Sequence, residues 1–314
     1  MTLNKKNTIT VLGAGNMGMA LAKVVAENGH PVLLWDLKKF LPKQKLPLRM
    51  KATADLQEAL KASNIAVIAI PSPYLRGLLK KIPKRLLKHE ILVNCSKGIE
   101  PGSLKRMGQV LEAMTRKSGA RIVDFSGPSI ANELQKKELT AVTLASHSPQ
   151  ALKKISTLFK NKYFRVKTSS DLIGVELGGI MKNVYSIGIG ITDTLRPSAN
   201  TRSYLLTQAL EEMMMLGKVL GAKTETFSGL SGMGDLIATC LSKDSRNRKL
   251  GEAIARGKSV AAAQKEIGQV TEGYYAAVAL SALARKHRVK LPLLQKIHRI
   301  LYKKASPKTL FDPL

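Results

Sequence analysis

A lysine stands where burial would disturb it. Lys182 lies inside Val175-Glu-Leu-Gly-Gly-Ile-Met-Lys-Asn-Val-Tyr-Ser-Ile-Gly-Ile-Gly-Ile191, an apolar, glycine-laced run that reads as a buried helix. Desolvation disfavours the ammonium and lowers its pKa toward neutrality, where a side chain can give and take a proton. A lone lysine in such a helix more often snorkels to water, so the neighbours it finds decide the matter. Lys97, in Cys95-Ser-Lys-Gly-Ile-Glu100, follows a strand and is a second candidate, although a strand-end lysine is ordinarily solvated. Asp235, between Gly234 and the apolar pair Leu236-Ile237, is either a helix cap or a buried carboxylate partner for a lysine. Ser245-Arg-Asn-Arg-Lys-Leu-Gly251 places a serine cap, Arg246 and Asn247 at a helix start, where free backbone donors, the helix dipole and a guanidinium suit a phosphate.

The elements that must position these groups begin with Thr8-Ile-Thr-Val-Leu12, Gly13-Ala-Gly-Asn-Met-Gly18 and Met19-Ala-Leu-Ala-Lys-Val-Val-Ala26, a strand, a glycine turn and a helix. In that context Gly13 permits the turn, Gly15 lets the backbone approach a pyrophosphate, and Gly18 lets helix and strand pack closely. Gly13, Gly15, Asn16, Met17 and Gly18 are therefore candidate cofactor contacts. Pro31-Val-Leu-Leu-Trp35 is the next strand, and it ends in Asp36, an acid about 20 residues on, placed for a ribose 2′-hydroxyl. Asp36 favours NAD over NADP, while Lys38 and Lys39 just beyond could attract a 2′-phosphate.

Further strands are expected at Ile65–Ile70, Glu90–Asn94, Arg121–Phe125, Leu139–Ala145 and Tyr163–Val166, with Lys97 and Pro71-Ser-Pro-Tyr74 at the carboxyl edge, where open α/β sheets bind ligands. Residues 51–60 read as a short segment and a helix capped by Thr53, and 126–133 run into a helix with Ser129 near its cap. After about Thr168 the alternation stops. Helices are expected over Glu176–Ile191 and Ala199–Leu220, the second with Glu211 and Glu212 on a solvated face and Met213, Met214 and Met215 filling core. The expected fold is α/β, with a Rossmann-like dinucleotide-binding domain at 1–168 and an all-helical substrate domain at 169–314.

Composition agrees with a two-domain enzyme. The 314 residues are 44% hydrophobic, with no stretch long and apolar enough to span a bilayer. The first seven residues are polar and leave no room for a secretory segment before the first strand, so a cytoplasmic address is expected. Cys95 and Cys240 are too few for a disulfide framework and read as structural thiols, and no metal ligand is assigned. Lys and Arg number 51 against 22 acids, a net charge of +29 that attracts polyanions whatever the fold. Aromatics are 4% and no nucleic-acid reader motif is present, so no specific nucleic-acid partner is expected. A positive field would speed capture of an anionic substrate and favour weak contact with an anionic membrane surface.

Taken in order, GAGNMG, SKGIE, SGPSIANE, GVELGGIMKN, GLSGMGDL, SRNRKLG and GQVTEG closely resemble the bacterial-type NAD(P)-dependent glycerol-3-phosphate dehydrogenases, nearly end to end. The resemblance implies reversible reduction of dihydroxyacetone phosphate to sn-glycerol 3-phosphate for phospholipid synthesis, and a homodimer. By the same resemblance Lys182 matches the proton donor and acceptor, Lys97 a lysine contacting substrate and cofactor, Asp235 an acid of the site and Thr239 a nearby hydroxyl. Arg246 and Asn247 match substrate phosphate and cofactor contacts. Gly127, Ser129 and Ser245 fall on substrate positions, and Ala131, Val270 and Glu272 on cofactor positions. The chemistry is coherent: hydride arriving at a ketone leaves an alkoxide, so Lys182 would supply the proton, Lys97 polarise the carbonyl and Asp235 orient the amine.

Two stretches depart from the family pattern. Residues 37–51 are shorter beside the adenosine pocket, and Asp193-Thr-Leu-Arg-Pro-Ser-Ala-Asn200 replaces a glycine-rich loop, with Thr194, Arg196 and Ser198 at glycine positions. If those positions need positive φ, each replacement costs about a kcal/mol or forces a different path. The rival readings are a related two-domain dehydrogenase, such as a ketopantoate reductase or 3-hydroxyacid dehydrogenase, and a basic dinucleotide-sensing or nucleic-acid-binding protein. The phosphate-suited SRN argues against the first, and Lys97, Lys182 and Asp235 together argue against the second.

Overall fold

The computed structural model describes residues 8–82 and 89–313. The polar lead-in at residues 1–7 lies outside the described residues. The chain divides into two compact units, one of residues 1–96, 107–125 and 129–172, the other of 97–106, 126–128 and 173–314.

The first unit is built on strands β1 (Ile9–Leu12), β2 (Val32–Trp35), β3 (Met50–Thr53), β4 (Ile65–Ile68), β5 (Ile91–Asn94), β6 (Arg121–Ser126), β7 (Thr140–Ala145) and β8 (Phe164–Ser169), ordered β3-β2-β1-β4-β5-β6-β7-β8. The first six follow the doubly wound dinucleotide-binding order. The β1 to β2, β1 to β4, β2 to β3, β4 to β5, β5 to β6 and β7 to β8 pairs run parallel. Side-chain alternation divides the strands between two cores: Val11, Val32, Leu34, Val67 and Val93 enter one, Leu12, Leu33, Ala66, Ile68 and Leu92 the other. Both faces are covered, which is why these strands are apolar throughout rather than alternating. The covering helices are α1 (Asn16–Glu27), α2 (Leu56–Lys61), α3 (Ser72–Lys81), α4 (Met107–Thr115), α5 (Ala131–Gln135) and α6 (Pro149–Phe159).

Three local expectations are corrected here. β3 is a strand on the sheet edge, and only Met50 of its four residues is buried, so it lacks an apolar signal. α2 is capped by Asp55, whose Oδ1 accepts from the amides of Gln57 (2.8 Å) and Glu58 (3.3 Å), while Thr53 sits two residues too early. α5 starts at Ala131 behind Ile130, with no side-chain cap, so Ser129 does not cap it.

The second unit is helical: α7 (Leu172–Leu195), α8 (Ala199–Val219), α9 (Thr224–Phe227), α10 (Asp235–Leu241), α11 (Arg246–Ala255), α12 (Val260–Ile267), α13 (Glu272–Lys286) and α14 (Pro292–Tyr302). α7 is its axis, with Leu177, Ile180, Met181, Val184, Tyr185, Ile187 and Ile191 in one core. Its glycines admit neighbouring backbone: a Cβ on Gly178 would lie 2.1 Å from the Ser231 carbonyl oxygen, and one on Gly190 2.1 Å from that of Arg248. α7 is longer at both ends than its apolar run. It continues through Thr194, whose hydroxyl donates to the Gly190 carbonyl at 3.0 Å, and Ser198 stands as the residue preceding α8. None of the positive-φ residues falls between 194 and 198, so the chain avoids glycine-loop strain by extending the helix. Arg196 then lies over the Phe311 ring at 4.8 Å.

Two expectations on α8 fail. Glu212 is buried rather than solvated, accepting from the Tyr185 hydroxyl (2.8 Å) and the amides of Leu293 (2.6 Å) and Leu294 (3.0 Å) at the start of α14. Met213 fills core, but Met215 is 43% exposed. Among the described residues no helix is long and apolar enough to cross a membrane, and Cys95 and Cys240 are both buried.

Candidate active site

In the first unit the glycine turn has the shape its residues require. Gly13 has φ +108°, and a Cβ there would lie 2.6 Å from the Ala69 carbonyl oxygen. A Cβ on Gly18 would meet the Gly13 carbonyl oxygen at 1.9 Å, so only glycine allows α1 to sit against the turn. Among the described residues nothing lies within 4 Å of a Cβ position on Gly15, the clearance a pyrophosphate needs. Asn16 and Met17 open α1 behind it. Asp36, just past β2, accepts from the Ala14 amide and the Leu37 amide, each at 2.7 Å. The carboxylate is thus fixed beside the turn. These features fit a dinucleotide. Ser129 and Ala131 also belong to this unit, Ser129 buried between β6 and α5 and Ala131 opening α5.

In the second unit Lys182, Lys97, Asp235, Thr239 and Gly127 converge. Asp235 is 2% exposed and divides its oxygens between two ammonium groups. Its Oδ1 faces Lys182 Nζ at 2.8 Å and its Oδ2 faces Lys97 Nζ at 2.7 Å. Lys182 also donates to the Thr239 hydroxyl at 2.7 Å, and that hydroxyl donates to Asp235 Oδ1 at 3.2 Å. Thr239 is one turn beyond Asp235 on α10, so one helix face presents both. Of the two roles open to Asp235 from its sequence, it takes that of lysine partner: it is the first residue of α10, entered through a π turn at Leu230–Gly234.

Electrostatics follow from burial. Desolvation pulls the Lys182 pKa down to about 8, and Lys97 pushes the same way, while Asp235 and more weakly Glu272 oppose them. Burial alone would raise Asp235, but Lys182 and Lys97 hold it below the usual carboxylate range. The triad therefore keeps a carboxylate charged, one lysine exchangeable near neutrality, and a surplus of positive charge where an oxyanion could form.

Lys97 is carried on a segment folded back on itself. Ile99 bridges Arg106, the Glu100 amide donates to the Lys105 carbonyl at 2.8 Å, and Arg106 forms a buried ion pair with Glu176 on α7. Gly179 gives its stem room: a Cβ there would lie 3.3 Å from Lys97 Cδ and 2.5 Å from Ser126 Oγ. Ser126 and the Gly127 amide donate to Asp235 Oδ2 over a long 3.4 Å.

The phosphate-suited residues form the start of α11. Ser245 caps it, accepting from the Arg248 amide at 3.2 Å. Arg246 is exposed, at 3.5 Å from the Gln269 side-chain oxygen. Asn247 is buried: its amide nitrogen donates to Asn183 Oδ1 and its oxygen accepts from the Gly273 amide, both at 3.0 Å. Among the described residues these bonds use one of its two amide protons. Glu272 opens α13 beside Gly273, and Val270 lies two residues before it in the α12–α13 link.

Sequence reasoning missed three contributors. Asn183 follows Lys182 directly and ties it to α11, Ser126 opens the SGPS motif, and Glu176 lies in the same motif as Lys182. Motif membership was the available signal, since nothing in their types announces the contact.

The sequence model described as NAD-dependent glycerol-3-phosphate dehydrogenase N-terminus matches residues 8–152, and that for the C-terminus of the same enzyme matches 171–312. The chain belongs to the NAD-dependent glycerol-3-phosphate dehydrogenase family. It is 39% identical over 321 residues to the glycerol-3-phosphate dehydrogenase [NAD(P)+] of Lysinibacillus sphaericus, covering 98% of this chain and 95% of that protein. It is 41% identical over 314 residues to the enzyme of the same name from Carboxydothermus hydrogenoformans, covering 96% and 94%. The crystal structure of glycerol-3-phosphate dehydrogenase from Coxiella burnetii superposes with a TM-score of 0.91 at 35% identity, covering 98% of each chain. Membership of this family sets aside both the related-dehydrogenase and the sensor alternatives.

Proposed function

We propose that this chain catalyses the NAD(P)H-dependent, reversible reduction of dihydroxyacetone phosphate to sn-glycerol 3-phosphate, feeding glycerophospholipid synthesis. The observation that carries the reading is the buried Asp235 with one ammonium on each oxygen. A bound dihydronicotinamide supplies the hydride. Lys182 gives its proton to the carbonyl oxygen in reduction and recovers it in oxidation, a role that matches a pKa pulled down to about 8. Lys97 polarises the carbonyl, and Asp235 with Thr239 holds the Lys182 amine in place. Gly127, Ser129, Ser245, Arg246 and Asn247 take the substrate, with Arg246 and the α11 start receiving its phosphate.

Gly13, Gly15, Asn16, Met17, Gly18 and Asp36 would hold the dinucleotide, with Lys97, Ala131, Arg246, Val270 and Glu272 as further contacts. Asp36, fixed by two backbone amides, favours NAD because a carboxylate repels a 2′-phosphate. Residues 1–168 are assigned to the dinucleotide-binding domain and 169–314 to the substrate domain. The family resemblance supports a homodimer at work in the cytoplasm, and the +29 charge supports weak contact with anionic membrane surfaces.

The test is oxidation of NADH and of NADPH by the purified protein with dihydroxyacetone phosphate, with phosphate-free dihydroxyacetone as control. Turnover that needs the phosphate and is faster with NADH is expected. Folded protein without turnover on either cofactor would overturn the proposal.

A further inference from the structure

Lys182 lies on α7 and the phosphate-suited residues Arg246 and Asn247 lie on α11, so the spacing between proton donor and phosphate depends on how these helices are fastened. They cross backbone against backbone. A Cβ on Gly190 of α7 would lie 2.1 Å from the Arg248 carbonyl oxygen, and a Cβ on Gly251 of α11 2.0 Å from that of Ile187. Such a crossing brings the two helices close, with Ile187 and Ile191 of α7 in the same core as Leu250 and Ile254 of α11. Directional fastenings sit on either side of it. One is the Asn183 to Asn247 hydrogen bond beside Lys182. The other is Asp193, near the end of α7, which takes Arg248 of α11 on Oδ2 through Nε (3.2 Å) and Nη2 (2.9 Å). Its Oδ1 takes Arg202 of α8, with Nε at 2.8 Å and Nη2 at 2.6 Å.

Asp193 thus gathers two guanidinium groups, and its side chain is only 10% exposed. The first turn of α11 holds Arg246, Arg248 and Lys249 and no acid. Glu252, at 3.2 Å from Arg248 Nη2, shares the guanidinium but sits on α11 itself and cannot tie it to α7.

We propose that Asp193 is a positioning residue that sets specificity for the phosphorylated substrate: by clamping Arg248 it fixes the start of α11, and with it Arg246, against α7. The inference rests on the dehydrogenase reading for its substrate, and on the α7–α11 geometry for its mechanism. It also gives a use to the altered segment after Asp193, where the extended helix carries the carboxylate on a rigid element.

The experiment compares the parent chain with Asp193→Asn and Asp193→Glu. It measures KM and kcat for dihydroxyacetone phosphate and for phosphate-free dihydroxyacetone, calorimetric binding of glycerol 3-phosphate and of glycerol, and melting temperature. Asp193→Asn is expected to raise KM for the phosphorylated substrate, and to weaken glycerol 3-phosphate binding, on the order of ten-fold. kcat/KM for dihydroxyacetone should stay unchanged, and Asp193→Glu should recover part of the loss. Equal losses on both substrates, or unchanged discrimination in folded Asp193→Asn, would overturn the proposal. A parent chain that binds glycerol 3-phosphate without turning over substrate would overturn the dehydrogenase reading alone, with the clamp still decided by the binding arm; a parent chain that does neither overturns both.

Discussion

Asp235 and Glu212 are both carboxylates buried to 2% exposure in the helical unit, and they behave in opposite ways. Asp235 has an ammonium on each oxygen and is held below the usual carboxylate range despite its burial. Glu212 instead accepts hydrogen bonds from the Tyr185 hydroxyl and the amides of Leu293 and Leu294; burial raises its pKa, against the Leu294 amide, the Tyr185 hydroxyl and the Leu293 amide. Burial therefore does not by itself mark a reacting acid. The partner decides: two lysines hold Asp235 charged, whereas a phenol and two amides make a staple joining α7, α8 and the start of α14.

The largest effect that separates the two is on rate. Lys182→Met should lower dihydroxyacetone phosphate reduction by about 10²- to 10⁴-fold, the usual contribution of a positioned acid or base, and Asp235→Asn should fall in a similar range. Glu212→Gln should leave steady-state rates within about two-fold, since its hydrogen bonds run to Tyr185, Leu293 and Leu294, although an amide keeps only one acceptor oxygen for them and stability falls. Comparable losses in Glu212→Gln and Asp235→Asn would erase the distinction.

Stability sharpens the contrast. Asp235→Ala strands two ammonium groups and should cost about 3–5 kcal/mol in denaturant unfolding, the range for breaking a buried ion pair. Lys182→Met removes a desolvated charge and should cost far less, so unequal penalties within one cluster are the expected signature.

Smaller, but opposite in sign, are the pH slopes. The folded pKa of Asp235 is lowered, so its share of stability is present above the ordinary carboxylate range and is lost as pH falls through the lowered value. That of Glu212 is raised, so its share is fully present below the ordinary value of 4.5 and is lost as pH rises through the raised one. Unfolding titrations of Asp235→Asn and Glu212→Gln should therefore remove slopes of opposite direction from the parent curve. Slopes of the same direction would show that the two acids are not in different protonation regimes.

The same contrast explains what could be read from the residues alone. β1, its glycine turn and Asp36 were legible because their constraints are local: Gly13 and Gly18 are demanded by backbone within the motif or on the adjoining strand. Lys182 was legible as an anomaly, a cation in an apolar helix, but not as half of a pair, because Asp235 lies 53 residues away and carried two readings. Glu212 was misread as solvated because an acid pair followed by methionines looks like a surface face, and its partners at Leu293 and Leu294 are 81 and 82 residues distant. β3 was missed because an edge strand with one buried residue needs no apolar pattern. The segment after Asp193 was flagged by its missing glycines, but its solution, a longer α7, depends on tertiary clamps from Arg202 and Arg248.

The most direct test of the account is the pH dependence of kcat/KM in both directions of the reaction. With Lys182 as the proton donor, reduction of dihydroxyacetone phosphate should decline as pH rises through about 8, and oxidation of glycerol 3-phosphate should climb through the same value. Profiles that are flat through that value in both directions, from folded and active protein, would contradict the assignment of Lys182 to the proton.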